Sequence, residues 1–384
     1  MRALRYVVPT AALALALGAC GGGSDEPGAS PSGQPSSQSP SQPSSPPSSP
    51  AASEPPASSS PAPSGGTADE PATLEPTTDL LDWAPVDAAP GDTVTRSGEW
   101  TLTIPQDGRR YSLASGERGT GSGMPGTRVG DALIDGDWAV VVLQDKAEQR
   151  PSIAEVTELA TGKTFRIDGR SDVPTHTGGT WALGEGRLLH ATVRAGDYCL
   201  ASVDLATRTS SVEWCAPKRH GFNSARITPA GTALLTFDDD SGVACRTLVT
   251  LDGGAVTPFA GVPECKGWDG LVTDDGAVWS IIPKENQVES AHFYARAGEG
   301  YYDLGPGTAG TLTWCAGAAY FVRDPQREGD PAALMRWSAE AGLAVVYESP
   351  GGQAFLSQPR CGGDALSVSA MAEAGDEQVT ATLR

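Results

Sequence analysis

Cysteine and histidine are the residues of this 384-residue chain whose chemistry depends most on their spacing. Six cysteines lie in the second half of the chain: Cys199, Cys215, Cys245, Cys265, Cys315 and Cys361. None forms a C-x-x-C pair, and no histidine stands beside them at zinc-ligand spacing, so we predict no metal or cofactor. An even number of cysteines in an exported chain instead indicates three disulfides, although the sequence alone leaves many pairings open.

The histidines give no catalytic pattern. They are scattered without a shared spacing, at His176, His190, His220 and His292. His190 alternates with apolar neighbours in "RLLHATV", which favours a core or channel-lining residue. No G-x-S-x-G, H-E-x-x-H or phosphate-binding glycine loop occurs. We therefore predict no catalytic residue, and the chain is more typical of a binding protein than of an enzyme.

An acidic run and the overall charge point away from two further kinds of partner. "FDDDSG" (237–242) contains the carboxylates that Ca²⁺ prefers, but it lacks the alternating pattern of a calcium loop, which favours a polar hairpin tip. The formal net charge is -20 and the pI is about 4.5. This balance argues against a nucleic-acid partner, which needs clustered basic side chains.

The first 20 residues have the pattern of an export signal. Arg2 and Arg5 precede an apolar stretch that is too short to span a bilayer permanently, and small residues then lead to Cys20. "LGAC" resembles the lipobox of bacterial lipoproteins, and this resemblance implies cleavage before Cys20, its acylation and an extracytoplasmic position on the cell membrane. The alternative is an ordinary secretory signal. Arginine outnumbers lysine 22 to 5, which indicates a GC-rich, actinobacterial source.

A low-complexity segment separates this signal from the folded part. Residues 21–78 are rich in Gly, Ser and Pro and are expected to be a disordered tether. Residues 79–96 form a connecting segment that begins with "DLLDWAPVD". Its Leu80, Leu81 and Trp83 predict docking on the folded domain, and a partner-binding motif is the alternative.

Residues 97–384 contain a repeat. A glycine that ends a short turn precedes an apolar, strand-like run in six places, at Gly136, Gly186, Gly231, Gly276, Gly317 and Gly363. Spacings of 41 to 50 residues with strand–turn–strand patterns in each unit are typical of β-propeller blades. The sequence therefore predicts an all-β protein with six blades of four antiparallel strands, each glycine preceding the inner strand, with seven blades as the alternative.

The last unit is short, and we expect the hairpin over 99–114 to complete it by pairing the two ends of the domain. "ITPAGTALLTF" resembles the turn of TolB-like and WD40-like propeller repeats. "VTDDGAVWSI" resembles part of the Asp-box of sialidase-like propellers, with Val272 and Val278 where that family has Ser and Thr. These resemblances imply a bacterial lipoprotein propeller and transfer no functional residue.

The blade pattern selects disulfide partners. Cys199 and Cys215 lie symmetrically about a strand turn, Cys245 and Cys265 occupy similar places one unit later, and Cys315 and Cys361 each precede a landmark glycine by two residues. The predicted pairs are 199–215, 245–265 and 315–361.

Three tryptophans suggest a binding surface. Trp181, Trp268 and Trp314 precede the runs that follow the glycines, and we place them in loops of one rim, where they contact a peptide or glycan or else pack in the core. The predicted function is a monomeric, membrane-anchored binding or scaffolding module for a protein, peptide or glycan of the cell envelope. A hydrolase or lyase acting in the central funnel and an accessory or sensor subunit of a membrane partner are the alternatives.

Overall fold

The computed structural model describes residues 70–121, 123–238, 244–284, 286–351 and 354–383. The described chain is all-β, and its single helical element is a 3₁₀ turn at Val288–Ser290. None of it forms a helix long and apolar enough to cross a membrane. Cys20, the tether up to residue 69 and residues 239–242 of the acidic run lie outside the described residues.

The strands form seven sheets arranged as the blades of a propeller. An N-terminal arm precedes them with β1 (Ala72–Thr73), β2 (Thr77–Thr78) and β3 (Ala84–Pro85). Blade 1 has β4 (Thr93–Ser97), β5 (Trp100–Ile104), β6 (Ser112–Ser115) and β7 (Arg118–Thr120). Blade 2 has β8 (Thr127–Asp135), β9 (Trp138–Asp145), β10 (Ile153–Glu158) and β11 (Thr164–Ile167). Blade 3 has β12 (Trp181–Gly184), β13 (Arg187–Arg194), β14 (Asp197–Asp204) and β15 (Ser210–Cys215).

The remaining blades follow the same antiparallel order. Blade 4 has β16 (His220–Thr228), β17 (Gly231–Asp238), β18 (Cys245–Asp252) and β19 (Ala255–Pro258). Blade 5 has β20 (Gly267–Thr273), β21 (Gly276–Ile281), β22 (Ala291–Ala297) and β23 (Gly300–Gly307). Blade 6 has β24 (Thr313–Cys315), β25 (Ala318–Arg323), β26 (Ala333–Ser338) and β27 (Gly342–Glu348). In blade 7 the innermost strand is divided into β28 (Ala354–Leu356) and β29 (Arg360–Cys361), which both pair with β30 (Ala365–Ala372), and β31 (Glu377–Thr382) follows.

The structure corrects the preferred count of six blades to the seven-bladed alternative. The hairpin over 99–114 does not complete the last blade, because it belongs to a separate sheet made of β4 to β7. The two ends of the domain do pair, but through the arm: β3 adds to β31 as the outermost strand of blade 7. Pairing of N- and C-terminal strands therefore closes the ring with a shorter strand than expected.

The landmark glycines mark the turn between the first two strands of each blade. The innermost strand precedes the glycine and the second strand follows it, so the runs predicted as inner strands are second strands. "VTDDGAVWSI" thus covers the end of β20, a turn and β21, in the fifth of seven blades. Gly136 and Gly186 have φ of 53° and 68°, a conformation that costs little for glycine. Gly98, with φ of 53° between β4 and β5, is the seventh copy of the same turn.

The core lies between blades, because alternate side chains of one strand point to opposite neighbours. In β25, Ala319 and Phe321 pack toward blade 5, whereas Tyr320 and Val322 pack toward blade 7. Apolar clusters of this kind fill six of the seven interfaces between blades.

The seventh interface, between blades 7 and 1, is built differently. The described side chains that blade 7 buries there are mainly polar: Ser367, Ser369, Gln378 and Thr380. Gln378 Nε2 donates to the Asp92 carbonyl over 2.8 Å. Gly362 approaches blade 1 so closely that a Cβ atom would lie 1.7 Å from the Arg96 carbonyl oxygen. We call this interface the seam.

The arm runs along the outer edges of blades 5, 6 and 7. β1 and β2 pair in parallel with β23 and β27, and β3 follows on blade 7. Trp83, from the segment 79–87, donates its Nε1–H to the Val346 carbonyl over 2.8 Å. Its ring also packs edge-on against Tyr347. The arm is therefore an integral part of three blades.

All three predicted disulfides are confirmed. Cys199–Cys215 joins opposed residues of β14 and β15 within blade 3. Cys245–Cys265 ties the start of β18 to the connection that leads into blade 5. Cys315–Cys361 links blade 6 to blade 7 at their first turns.

Candidate ligand channel

A central channel of about 520 Å³ runs between the innermost strands, and every blade contributes to its wall. Most of the lining is small or apolar, because the inner strands approach one another closely. Charged side chains stand out against it: Asp131 and Asp135 from blade 2, Glu185 after β12, Arg226 from blade 4 and Arg360 from blade 7. The channel thus brings together charges from distant parts of the sequence.

Irregular strand pairing places three charged residues at or near the channel. The register of β8 against β9 shifts next to Asp131, and that of β16 against β17 shifts next to Arg226. A third shift, in β20, includes Asp269. A bulge inserts an extra residue and re-aims the neighbouring side chain, so it turns a charge out of the apolar face of the blade.

Asp131 and Arg360 form a loose ion pair across the channel. Their closest atoms, Oδ1 and Nη1, are 4.0 Å apart, and each side chain is about one-third exposed, 28% for Asp131 and 33% for Arg360. Asp131 Oδ1 also accepts a 2.8 Å hydrogen bond from the Ala132 N–H. Burial raises the pKa of Asp131, and the positive charges of Arg360 and Arg226 together with that N–H offset only part of the effect. The pair therefore keeps hydrogen-bonding capacity for a ligand.

Asp269 supports the wall beside Arg226. It is 5% exposed, and its Oδ2 accepts hydrogen bonds from the Gly310 N–H over 2.6 Å and from Ser280 Oγ over 3.0 Å. Burial raises the pKa of Asp269, while the Gly310 N–H, the Arg226 charge and Ser280 act against that rise. Asp269 therefore joins blades 5 and 6 and provides negative charge near the Arg226 guanidinium.

The turn end of the channel is acidic. Asp135 closes β8, and Glu185 follows β12 in the neighbouring blade. Burial raises the pKa of Asp135, the negative charge of Glu185 adds to that rise, and a hydrogen bond from the Glu185 backbone lowers it in part. A carboxyl group with a raised pKa beside a second carboxylate is able to give or take a proton.

The four histidines lie apart from these charges, and the described residues that line the channel include none of them. His190 is fully buried and stacks on Trp181 with ring centroids 5.4 Å apart, and burial lowers its pKa. His292 pairs with Asp303 over 2.5 Å on the outer strands of blade 5. The described residues contain no cluster of ligands that could hold a metal ion.

The structure does not bring the three tryptophans proposed as a rim together at the channel. All lie within innermost strands, not in loops, because those strands begin before the landmark turns. Trp181 is buried and Trp314 is half-buried, and both border the channel. Trp268 lies away from it, beneath the Arg246 guanidinium at 5.1 Å. Their part in binding stays a prediction.

Sequence reasoning missed the channel charges. A usable signal was present, since Asp131, Arg226 and Arg360 each lie three to five residues before a landmark glycine. A charge at such a position must face either a buried partner or the channel.

Comparison with known proteins identifies the fold. No family model and no curated protein sequence matches the chain. The β-propeller domain of the trilobed protease from Pyrococcus furiosus is similar, with a TM-score of 0.52 and 10% identity, over 79% of this chain and 96% of that one. A prolyl endopeptidase matches at a TM-score of 0.48 and 13% identity, over 79% of this chain and 47% of that one. TolB from Acinetobacter baumannii matches at 0.40 and 16%, over 68% and 64%.

The similarity to the trilobed protease domain, at a TM-score of 0.52 and 10% identity, supports the propeller fold and carries no residue roles. The chain spans less than half of the prolyl endopeptidase it matches. The chain is a β-propeller with seven four-stranded blades, three disulfides and a charged central channel.

Proposed function

We propose that this protein is a lipid-anchored, extracytoplasmic binding module that takes a peptide or other small polar group into its central channel. The loose Asp131–Arg360 pair carries the proposal. A fold that needed this pair for stability would hold it in direct contact, whereas 4.0 Å leaves both groups with unused hydrogen-bonding capacity. Arg226 adds a second guanidinium to the same channel.

Two features support the extracytoplasmic position. "LGAC" ending at Cys20 provides the acylation site, and each buried methylene of an acyl chain contributes roughly 0.8 kcal/mol to membrane binding. Three disulfides support an oxidising compartment, because cytosolic thiols are kept reduced. The tether would let the propeller reach away from the membrane surface.

The anchor is tested by Cys20→Ala. We expect the wild-type chain to incorporate an alkyne analogue of palmitate and to stay with the membrane. The variant should lose the label and appear in the medium or remain as uncleaved precursor. Equal labelling of both chains would contradict the anchor.

Channel binding is tested by photo-crosslinking on intact cells. A benzophenone amino acid at Thr313, which borders the channel, is compared with one at Val193, which is 42% exposed on blade 3. We expect a crosslinked product at the channel position that Arg226→Gln reduces, and no such dependence at the control position. Products that are identical at both positions would contradict channel binding.

A hydrolase or lyase acting in the channel is the second candidate, and the Asp135–Glu185 pair favours it. Two carboxyl groups, one with a raised pKa, are a minimal acid–base set. Incubating the protein with mixed oligosaccharides and peptides, followed by mass spectrometry, tests this function. Products that form with the wild-type protein and not with Asp135→Asn would support the enzyme function. Substrates that stay unchanged with the wild-type protein would contradict it.

A further inference from the structure

The seam contains a second pocket beside the central channel. This seam pocket has a volume of about 210 Å³ and lies between β4 and the inner strands of blade 7. Gln358 and Arg360 line both the seam pocket and the channel. Arg360 therefore borders both places where a ligand could bind.

The seam pocket has an unused hydrogen-bond acceptor. Gln378 borders the pocket and is 6% exposed, and its Nε2 donates to the Asp92 carbonyl over 2.8 Å and to Ser369 Oγ over 3.0 Å. The Asp92 carbonyl accepts only, so this contact fixes which side of the amide carries the nitrogen. Among the described residues, Gln378 Oε1 is buried without a hydrogen-bond partner. An N–H donor that reaches it from the pocket would remove the cost of leaving it unpaired.

The opening of the seam pocket is apolar. Met371 lines the pocket and is 47% exposed, and Phe355, opposite it across β28 and β30, is 60% exposed. Val94, which is 2% exposed, adds apolar surface on the blade 1 side of the pocket. Two large exposed apolar side chains side by side beside a pocket are typical of a surface that contacts a ligand.

We propose that the seam pocket binds the carboxyl-terminal residue of a peptide, with the carboxylate on Arg360, the last amide N–H directed toward Gln378 and an apolar side chain against Val94 and Met371. This inference rests on the proposed binding function and names its ligand class. Such a peptide end needs a cationic group for its carboxylate, an acceptor for its last N–H and an apolar surface for its side chain. The seam provides all three, and the rest of the peptide would extend along the channel or across Phe355.

The test uses the full-length lipidated protein in detergent and fluorescein-labelled five-residue peptides. One peptide ends in leucine with a free carboxylate, a second is its amide, and a third ends in serine. Fluorescence anisotropy gives the dissociation constants. We expect the free leucine acid to bind at least about tenfold more tightly than the amide, since the amide loses a charge-assisted contact.

Three variants separate the contacts. Arg360→Gln should remove the preference for the free acid, and Met371→Ser should remove the preference for leucine over serine. Val193→Ser is the matched control, because Val193 is similarly exposed but lies on blade 3, and it should change neither preference. Thermal unfolding of each variant checks that the propeller is folded.

The outcomes distinguish this inference from the proposed function. Equal binding of acid and amide, or a preference that survives Arg360→Gln, overturns the seam site while leaving channel binding intact. Absence of peptide binding together with channel crosslinks on cells also overturns the seam site alone. Absence of both peptide binding and channel-specific crosslinks overturns the binding function itself.

Discussion

Blades 5 to 7 carry the arm along their outer edges, whereas the described parts of blades 1 to 4 end in uncovered strands. The covered strands β23, β27 and β31 have 8, 7 and 6 residues. The uncovered strands β7, β11, β15 and β19 have 3, 4, 6 and 4. Long edges with unpaired backbone groups are templates for association. The arm therefore covers long outer edges, which are the ones most prone to pairing with another chain.

The uncovered edges are protected by other means. β15, the longest of them, is tied to β14 by the Cys199–Cys215 disulfide. β19 ends in Pro258, which has no N–H to offer a further strand. In the described structure, each outer edge is therefore short, tied to its neighbour, ended by proline or covered by the arm. Removing the arm, the disulfide or the proline should therefore lower the stability of the blades that contain it and leave the other blades unchanged.

Deletion of residues 21–86, with Cys20 kept, should have the largest effect. It removes backbone hydrogen bonds such as Leu74 N–H to Asp303 and Leu81 N–H to Val346, and it removes Trp83. We expect a loss of about 5 kcal/mol or more in unfolding free energy. Hydrogen exchange should rise in β23, β27 and β31 and stay unchanged in β11 and β15. A uniform rise over all seven blades would show that the arm stabilises the whole ring.

Removal of the disulfides comes next and should affect the two regions to different degrees. Cys315–Cys361 closes a separation of 46 residues between blades 6 and 7, and Cys199–Cys215 closes 16 within blade 3. Loop-closure entropy predicts a loss of about 4 kcal/mol for the first and about 3 kcal/mol for the second after double alanine substitution. Urea unfolding under non-reducing conditions measures both. A larger loss for the short loop would indicate that native packing, and not chain entropy, determines the effect.

The repeat and the disulfides were predictable because local rules specify them. Turn glycines and alternating apolar residues mark each blade, and the strand pattern selects the cysteine partners. Gly98 escaped notice because it lies 38 residues before Gly136, closer than the other spacings, and because its hairpin was assigned to ring closure. Because this one turn was missed, the predicted number of blades was one too low.

The arm and the channel depend on contacts that no local pattern encodes. Trp83 and Val346 are 263 positions apart in the sequence, so the pairing follows from ring closure. Asp131 and Arg226 face the channel because bulges shift the strand register, and a bulge has no fixed sequence signature. The tryptophans were predicted in loops because the inner strands were assigned to the runs after the glycines. That one-strand error moved the expected site from the channel wall to a rim.

Trp83→Ala should cost about 2–4 kcal/mol, because it removes a half-buried ring and the hydrogen bond to Val346. Trp83→Phe should keep most of the packing and lose about 1 kcal/mol. Trp138→Ala is the matched control, since Trp138 packs edge-on against Phe165 in blade 2. Hydrogen exchange in β27 should rise in Trp83→Ala and remain unchanged in the control. A rise in both variants would erase the distinction between the two regions.

The pH dependence of stability should be alike in the blades that carry the arm and in those that do not. It arises from carboxyl groups at the channel and not from the outer edges. Burial raises the folded-state pKa of Asp131 in blade 2 and of Asp269 in blade 5 above the ordinary value of 3.8. Such a group contributes stability that is complete below pH 3.8 and is lost as the pH rises through the folded-state pKa. Asp131→Asn and Asp269→Asn should therefore each weaken the fall in melting temperature between acidic and neutral pH. A weaker pH dependence in only one of the two variants would show that blades with the arm and blades without it differ in this respect.

The smallest effect is expected for the ion pair between the arm and blade 6. Arg336 Nη2 donates to Asp79 Oδ2 over 2.7 Å, but the Asp79 side chain is 61% exposed. Exposed pairs contribute little because water and salt screen them, so Asp79→Asn should cost about 0.5 kcal/mol at low salt and nothing measurable in 1 M NaCl. Denaturant titration at the two salt concentrations measures this difference. A salt-insensitive loss as large as that of Trp83→Ala would mean that charge, and not the apolar anchor, holds the arm.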